Sequence, residues 1–500
     1  MGFSKTCLSL FLFFISFSLS CATSRITLQH PFPSTTKFSS NQRAEQLIRS
    51  FNLFPKHSAN IHGEYSIDDF VPGKIVEKSF SFLASSNGTS VEDLGHHAGY
   101  YSLPRSKSAR MFYFFFESRS GAKDAPVVIW LTGGPGCAGE LALFYENGPF
   151  KINNDLSLSW NDYGWDKGSN IIFVDQPIGT GFSYSSDEND IPTDETGVSN
   201  DLYAFLQAFF KEHPELVKND FYITGESYAG HYIPALASRV QKGNKNKEGI
   251  AINFKGIAIG NGLTNPRIQY QAYTQFAVDN KLITKEDQAE IDQLVPSCVD
   301  ATKTCESEGG GDSCITALDQ CQQIFSSILS IAGNINYYDI RKQCEGELCY
   351  DFSNLETLFN KKTVRDALGV GDIEFVSCSN AVHSALNQDS MLNYDVDIPA
   401  LLEDGIKVLI YVGEFDLICN WLGNSNWVHA MEWSGQKQFA ASKTAQFLVD
   451  GTQAGLLNSY GPLSFLKVND AGHLVPMDQP KAALQMLVNW MEGNLNGTKI

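Results

Sequence analysis

Four short apolar runs set the strongest constraint on how this chain can fold: VVIWL (127–131), NIIFVDQ (170–176), FYIT (221–224) and GIAIGNG (256–262). A strand buried on both faces reads as a continuous β-branched or aromatic run, and such strands pair in parallel only when a longer segment carries the chain back over the sheet. Residues 198–212 supply such a return, with Val198, Leu202, Phe205, Leu206 and Phe209 on one helical face. The earlier runs SFSFLA (79–84), AGYYSL (98–103) and MFYFFFES (111–118) suit an antiparallel edge. The expected class is therefore α/β, a mostly parallel, doubly wound sheet with helices on both faces.

After GNGLTNP (260–266) the pattern breaks. Residues 263–385 read as helical and cysteine-rich, with a Gly309-Gly310-Gly311 interruption and no comparable strand. Strand patterning resumes at KVLIYVGEFD (407–416) and SFLKVNDAGH (464–473). The spacing predicts one domain in two parts, 76–262 and 386–500, with 263–385 inserted as a helical cap.

The stretch FYITGESYAGHYIP (221–234) runs from a strand into a helix through Ser227. Small residues at Gly225, Ala229 and Gly230 let the two elements approach, as in a nucleophile elbow. The match to G-x-S-x-G is imperfect, because Ala229 takes the fifth place, and an ordinary strand-to-helix turn is the rival reading. A nucleophilic serine needs a base and an orienting acid, both expected just beyond strand ends. Asp416 follows VLIYVGEF and His473 follows SFLKVNDAG, giving the order serine, acid, histidine that this architecture uses. His231, His383 and His429 are read as structural. Oxyanion donors are expected from the N–H of Tyr228 and from Gly133 or Gly134 in LTGGPGC (131–137), where Pro135 stiffens the turn.

A net charge of −19 with no basic stripe argues against a nucleic-acid partner. MGFSKTCLSLFLFFISFSLSCATS opens the chain with one lysine, an apolar stretch from Cys7 to Leu19 and small residues at cleavage spacing. It is read as a signal peptide over 1–22, which implies the secretory pathway, vacuolar or extracellular, and no membrane contact in the mature form. Residues 23–75 are read as a removable pro-segment, a flexible arm with one docking helix being the alternative. The sequons at Asn87 and Asn496 are candidate glycosylation sites. Nine cysteines remain after the leader, and an oxidising lumen makes disulfides the first reading; the odd count leaves a thiol free. No pair has CxxC spacing beside histidines, so no metal is expected.

WLTGGPGC, NIIFVDQPIGTGFSYS, ITGESYAGHYIPALA, IGNGLTNP, VLIYVGEFDLICNWLGN and NDAGHLVPMDQP resemble the signature blocks of serine carboxypeptidases, above all plant relatives of the yeast vacuolar enzyme. The resemblance covers most of 75–495. It implies an α/β-hydrolase fold with a helical cap, a triad of Ser227, Asp416 and His473, oxyanion donors at Gly134 and Tyr228, and no cofactor. It implies peptide and protein C-termini as substrates, with single amino acids released. Glu226 and Glu146 (in FYENGP) would grip the substrate carboxylate with Gly133 and the residue at 132, and three neighbouring carboxyls must share protons, so acid should favour the reaction. Two departures stand out: Thr132 replaces the usual asparagine, and CAGE replaces CSSE, removing hydroxyls at Ala138 and Gly139. Cys137 would pair with Cys378 and Cys344 with Cys349. Cys298, Cys305, Cys314 and Cys321 permit three pairings, of which the nested Cys298–Cys321 with Cys305–Cys314 is preferred. Cys419 would be the free thiol near the site or, equally, a small buried hydrophobe. The rivals are an acyltransferase using glucose esters, disfavoured because those relatives carry aspartate where Glu226 stands, and a non-catalytic binding protein of the same fold.

Overall fold

The computed structural model describes residues 73–79 and 96–495, apart from 107 and 347. The leader, nearly all of the 23–75 segment, Asn87, Asn496 and the SFSFLA run beyond Ser79 lie outside the described residues.

The first strands are β1 (Ile75–Ser79), β2 (His96–Ser102), β3 (Arg110–Phe116) and β4 (Val127–Leu131). A small hairpin follows, β5 (Phe150–Ile152) with β6 (Leu158–Trp160), then β7 (Asn170–Val174), β8 (Phe221–Glu226) and β9 (Phe254–Gly260). After a long helical stretch come β10 (Lys407–Gly413), β11 (Ala445–Val449), β12 (Thr452–Tyr460) and β13 (Leu463–Val468). Eleven of these build one sheet in the order β1-β2-β3-β7-β4-β8-β9-β10-β13-β12-β11. The centre, from β7 through β13, is parallel, and the buried apolar runs lie there. The flanks β1-β2-β3-β7 and β13-β12-β11 are antiparallel, so the sheet as a whole is mixed.

Side-chain alternation divides the core between the two faces. Along β3, Met111, Tyr113 and Phe115 enter one cluster while Phe112, Phe114 and Phe116 enter the other. On the first face pack α1 (Glu195–Glu212) and α2 (Ala229–Asn246). The Asp194 carboxylate caps α1 by accepting the Gly197 N–H, and Val198, Leu202, Phe205, Leu206 and Phe209 point into the core. On the opposite face Trp130, Trp165 and Tyr222 pack with Trp490.

Between β9 and β10 the chain is helical. Its largest unit is the antiparallel pair α3 (Val295–Glu308) and α4 (Asp312–Ala332), which buries its own cluster with Phe276, Ile324, Phe325 and Ile328. Disulfides Cys298–Cys321 and Cys305–Cys314 staple the pair in a nested arrangement, and Gly309 to Gly311, all at positive φ, form the turn. Cys344–Cys349 closes a short loop, and Cys137–Cys378 ties the turn after β4 to the far end of the insertion. Cys419 is free and buried. No described helix is long and apolar enough to cross a membrane.

Candidate active site

The carboxyl ends of the parallel strands meet in a cavity lined by Thr132, Gly133, Gly134, Glu146, Glu226, Ser227 and His473 among others. Ser227 sits between β8 and α2 with φ 66°, a left-handed conformation rare for a residue with a Cβ. The turn persists because both its backbone groups are held: Ser227 N–H donates to the Gly260 carbonyl at 3.0 Å, and its own carbonyl accepts from Gly230 and Leu263, each at 2.9 Å. Glycine is needed beside it. A Cβ on Gly225 would fall 2.2 Å from the Leu131 carbonyl, and one on Gly133 would fall 2.6 Å from the Tyr228 nitrogen.

Asp416 and His473 emerge just past β10 and β13. His473 Nδ1–H donates to Asp416 Oδ2 at 2.7 Å, and both side chains are buried. The same Oδ2 accepts from Asn261 Nδ2 at 2.7 Å and from the Cys419 N–H at 3.3 Å, whereas Oδ1 has no partner among the described residues. Among the described residues His473 Nε2 has no partner, and it is His473 and Ser227 that line the cavity, with Asp416 behind. Tyr338 lies across the imidazole with ring centroids 4.9 Å apart.

Glu146 and Glu226 are buried and face each other within hydrogen-bonding range, each with Oε2 unpartnered among the described residues. Burial pushes the Glu146 carboxyl up to about 8, offset in part by the Glu226 hydrogen bond. Burial, then the Glu146 charge, hold Glu226 well above the usual carboxylate range. The pair therefore keeps a proton at neutral pH. Thr132 Oγ1 accepts from Trp130 Nε1 at 3.2 Å, so its own proton is available to the cavity. Tyr145, Leu348, Tyr350, Phe352 and the Cys137–Cys378 disulfide give the rest of the wall an apolar character.

The structure thus gathers Thr132, Gly133, Gly134, Glu146, Glu226, Ser227 and His473 round one cavity, with Asp416 behind the histidine and the Tyr228 nitrogen at the elbow. Cys419 is different: it is not on the cavity wall but packs behind Asp416, where burial and then the Asp416 charge raise its thiol well above its ordinary range. Asp416, Cys419 and His473 bring one ligating atom each within 4.8 Å, the one such trio among the described residues, with Asp416 Oδ2 and His473 Nδ1 already bonded to each other. His231 donates from Nδ1 to the Leu263 carbonyl at 2.6 Å and stacks on Tyr228; His383 and His429 are exposed. Sequence reasoning missed Asn261 and Tyr338. Asn261 was visible as a polar residue ending a buried run; nothing in the local pattern flags Tyr338.

A match to the serine carboxypeptidase family spans residues 87–493. The chain is 64% identical over 460 residues to serine carboxypeptidase-like 48 of Arabidopsis thaliana, covering 91% of this chain and 89% of that protein. It is 62% identical over 463 residues to serine carboxypeptidase 3 of Oryza sativa subsp. japonica, covering 93% and 91%. Among solved structures, the prohormone-processing carboxypeptidase of Saccharomyces cerevisiae superposes with a TM-score of 0.71 at 26% identity, covering 79% of this chain and 90% of that one. Fold and sequence agree along almost the whole described length: the chain belongs to the serine carboxypeptidase family and is a serine-type carboxypeptidase with an α/β-hydrolase fold.

Proposed function

We propose that the enzyme releases single amino acids from the C-termini of peptides and proteins through an acyl-enzyme, and that acid favours the reaction. Ser227 Oγ attacks the carbonyl carbon of the last peptide bond while His473 Nε2 takes the hydroxyl proton. Asp416 Oδ2, bonded to Nδ1–H, orients the ring and stabilises the imidazolium. The N–H groups of Gly134 and Tyr228 hold the oxyanion. As the C–N bond breaks, the proton passes to the leaving amine; water then attacks the ester with His473 again as base, freeing the shortened chain and Ser227.

The observation that carries this reading is the buried Glu146–Glu226 pair on the wall of the cavity that the elbow serine also lines, where burial raises both carboxyls. Two ionised carboxylates would repel a substrate's terminal carboxylate, whereas a pair that retains a proton donates to it, helped by the Gly133 N–H and the Thr132 hydroxyl. Synthesis as a secretory proenzyme, with residues 263–385 as the cap and a vacuolar or extracellular destination, completes the reading.

The test is a pH series with paired substrates. As pH climbs through the raised pKa of the pair, with Glu146 near 8, hydrolysis of free-acid peptides should fall while hydrolysis of the same peptides amidated, or of ester substrates, persists. Parallel profiles for both kinds of substrate would overturn the role of the pair.

A further inference from the structure

Residues 336–342 leave the helical insertion and cross the carboxyl ends of β10 and β13 as a short strap. Its backbone engages the loops of both the acid and the base. Ile340 N–H donates to the Phe415 carbonyl at 3.0 Å, and Leu417 and Ile418 N–H both donate to the Tyr337 carbonyl at 3.1 Å. His473 N–H donates to the Tyr338 carbonyl at 2.7 Å. The contact is possible because residue 472 is glycine: a Cβ there would fall 2.5 Å from the Tyr338 carbonyl oxygen and 2.7 Å from Asp339 Cβ.

Charge holds the strap down. Asp339, fully buried, accepts from Arg341 Nε and Nη2 at 2.8 Å each and pairs with Lys342 Nζ at 2.9 Å. Lys342 Nζ also reaches Asp478 Oδ1 at 2.9 Å, and Asp478 Oδ2 accepts the Gly472 N–H at 2.8 Å. Lys342 thus bridges an acid on the strap and the acid that holds the residue preceding His473, more closely than Arg341, whose Nη2 lies 4.0 Å from Asp478 Oδ2. Asn336, also buried, accepts the Tyr338 N–H at 2.9 Å and donates to the Cys349 carbonyl at 2.7 Å, which ties the strap to the small disulfide loop.

From this arrangement we propose that Asp339, Lys342 and Asp478 are positioning residues: their bridge sets the His473 imidazole against Ser227 and makes turnover depend on the helical insertion. The proposal rests on His473 being the general base. A merely structural ion pair makes a different prediction. Lys342 has a side chain 42% exposed, and such a pair contributes little to stability. Small displacements of a catalytic group, by contrast, act on rate far more than on substrate affinity.

The test compares Lys342→Met, Lys342→Arg and Lys362→Met in the full chain, assayed on a free-acid peptide and an ester. Lys362 pairs with Asp366 on an exposed helix of the same insertion and serves as the control. Lys342→Met should lower kcat about tenfold on both substrates, with KM within about twofold and the thermal midpoint little changed. Lys342→Arg, which keeps cation and reach, should restore most of the rate, and Lys362→Met should match wild type. If Lys342→Met does not fold, Asp478→Asn, which retains an acceptor for Gly472, is judged by the same criteria. A wild-type kcat in the folded variant, a loss confined to KM, or a loss that arginine fails to rescue would overturn the bridge alone. An inactive wild-type enzyme would overturn the assignment of His473 and the bridge with it.

Discussion

Asp416 makes its described hydrogen bonds through one oxygen, and Asn261 supplies one of them. The amide of Asn261 donates to the oxygen that holds His473, while its own Oδ1 accepts the Gly413 N–H at 3.1 Å, so it joins the ends of β9 and β10. Without that donor the carboxylate is less stabilised and free to rotate toward its unpartnered oxygen. Asn261→Leu should lower kcat by about ten- to a hundredfold on peptide and ester substrates alike, the scale of one charge-assisted hydrogen bond. An unchanged kcat would remove Asn261 from the account. At Glu226 the expectation differs in kind: Glu226→Ala should raise KM for free-acid peptides about tenfold or more and leave amidated peptides nearly unaffected, because only the former present a carboxylate. The proposed triad is legible in the chain, since each member comes within a few residues of the end of an apolar run. Tyr338 and the Asp339 bridge are not, because they come from an insertion whose local pattern says only that it is helical, and their proximity to His473 exists only after folding.

At the level of elements, the elbow works through contact between two turns from different strands. The turn after β4 presses glycine backbone onto the elbow after β8, with Gly133 against the Tyr228 nitrogen. Gly133→Ala would place a methyl where backbone already is, so the turns must separate and the proposed oxyanion donors with them. Activity should fall at least a hundredfold, the cost of losing an oxyanion donor, while circular dichroism stays native. A Gly133→Ala enzyme of wild-type rate would show that the turns are not tightly coupled. The central parallel strands were legible because burial on both faces writes a continuous apolar run. The β11–β12 hairpin escaped notice for the opposite reason: its residues are largely exposed or half-buried, so no run marks them. β1 carries only IVEKS, which alternates too briefly to announce a strand.

At the scale of the molecule, buried carboxyls meet in pairs that burial biases toward the protonated form. Besides Glu146 with Glu226, Glu140 lies against Asp175 and Glu195 beside Asp389. Burial, then the neighbouring acid's charge, raise Glu140 and Glu195 well above their ordinary range; burial lifts Asp389 to about 7. Because these values are raised on folding, their stabilisation is fully present below the unfolded carboxylate pKa and is lost as pH rises through the folded values. His97 acts in the same direction: burial lowers it, but hydrogen bonds to Glu117 and Glu77 carry it up to about 9, so its contribution fades as pH rises from 6.5 toward 9. Glu77 acts in the opposite direction. Burial raises it, yet the bonds to His213 and His97 bring it down to about 2, so its share is lost only as pH falls below 4.5. Calorimetry at fixed scan rate should therefore find the highest melting temperature near pH 4.5 and a steady decline toward pH 9. Glu140→Gln, which carries no charge at any pH, should flatten part of that decline. A melting temperature that rises from pH 5 to 8 would contradict the account.

All of this depends on a hydroxyl, an imidazole and a carboxylate from three distant stretches of chain acting as one group at the rim of the sheet. The direct measurement is covalent labelling with a fluorophosphonate, followed by peptide mapping of the adduct. The adduct should fall on Ser227, and labelling should drop at least a hundredfold in a folded His473→Ala enzyme. An adduct on another residue, or labelling of His473→Ala at the wild-type rate, would contradict it.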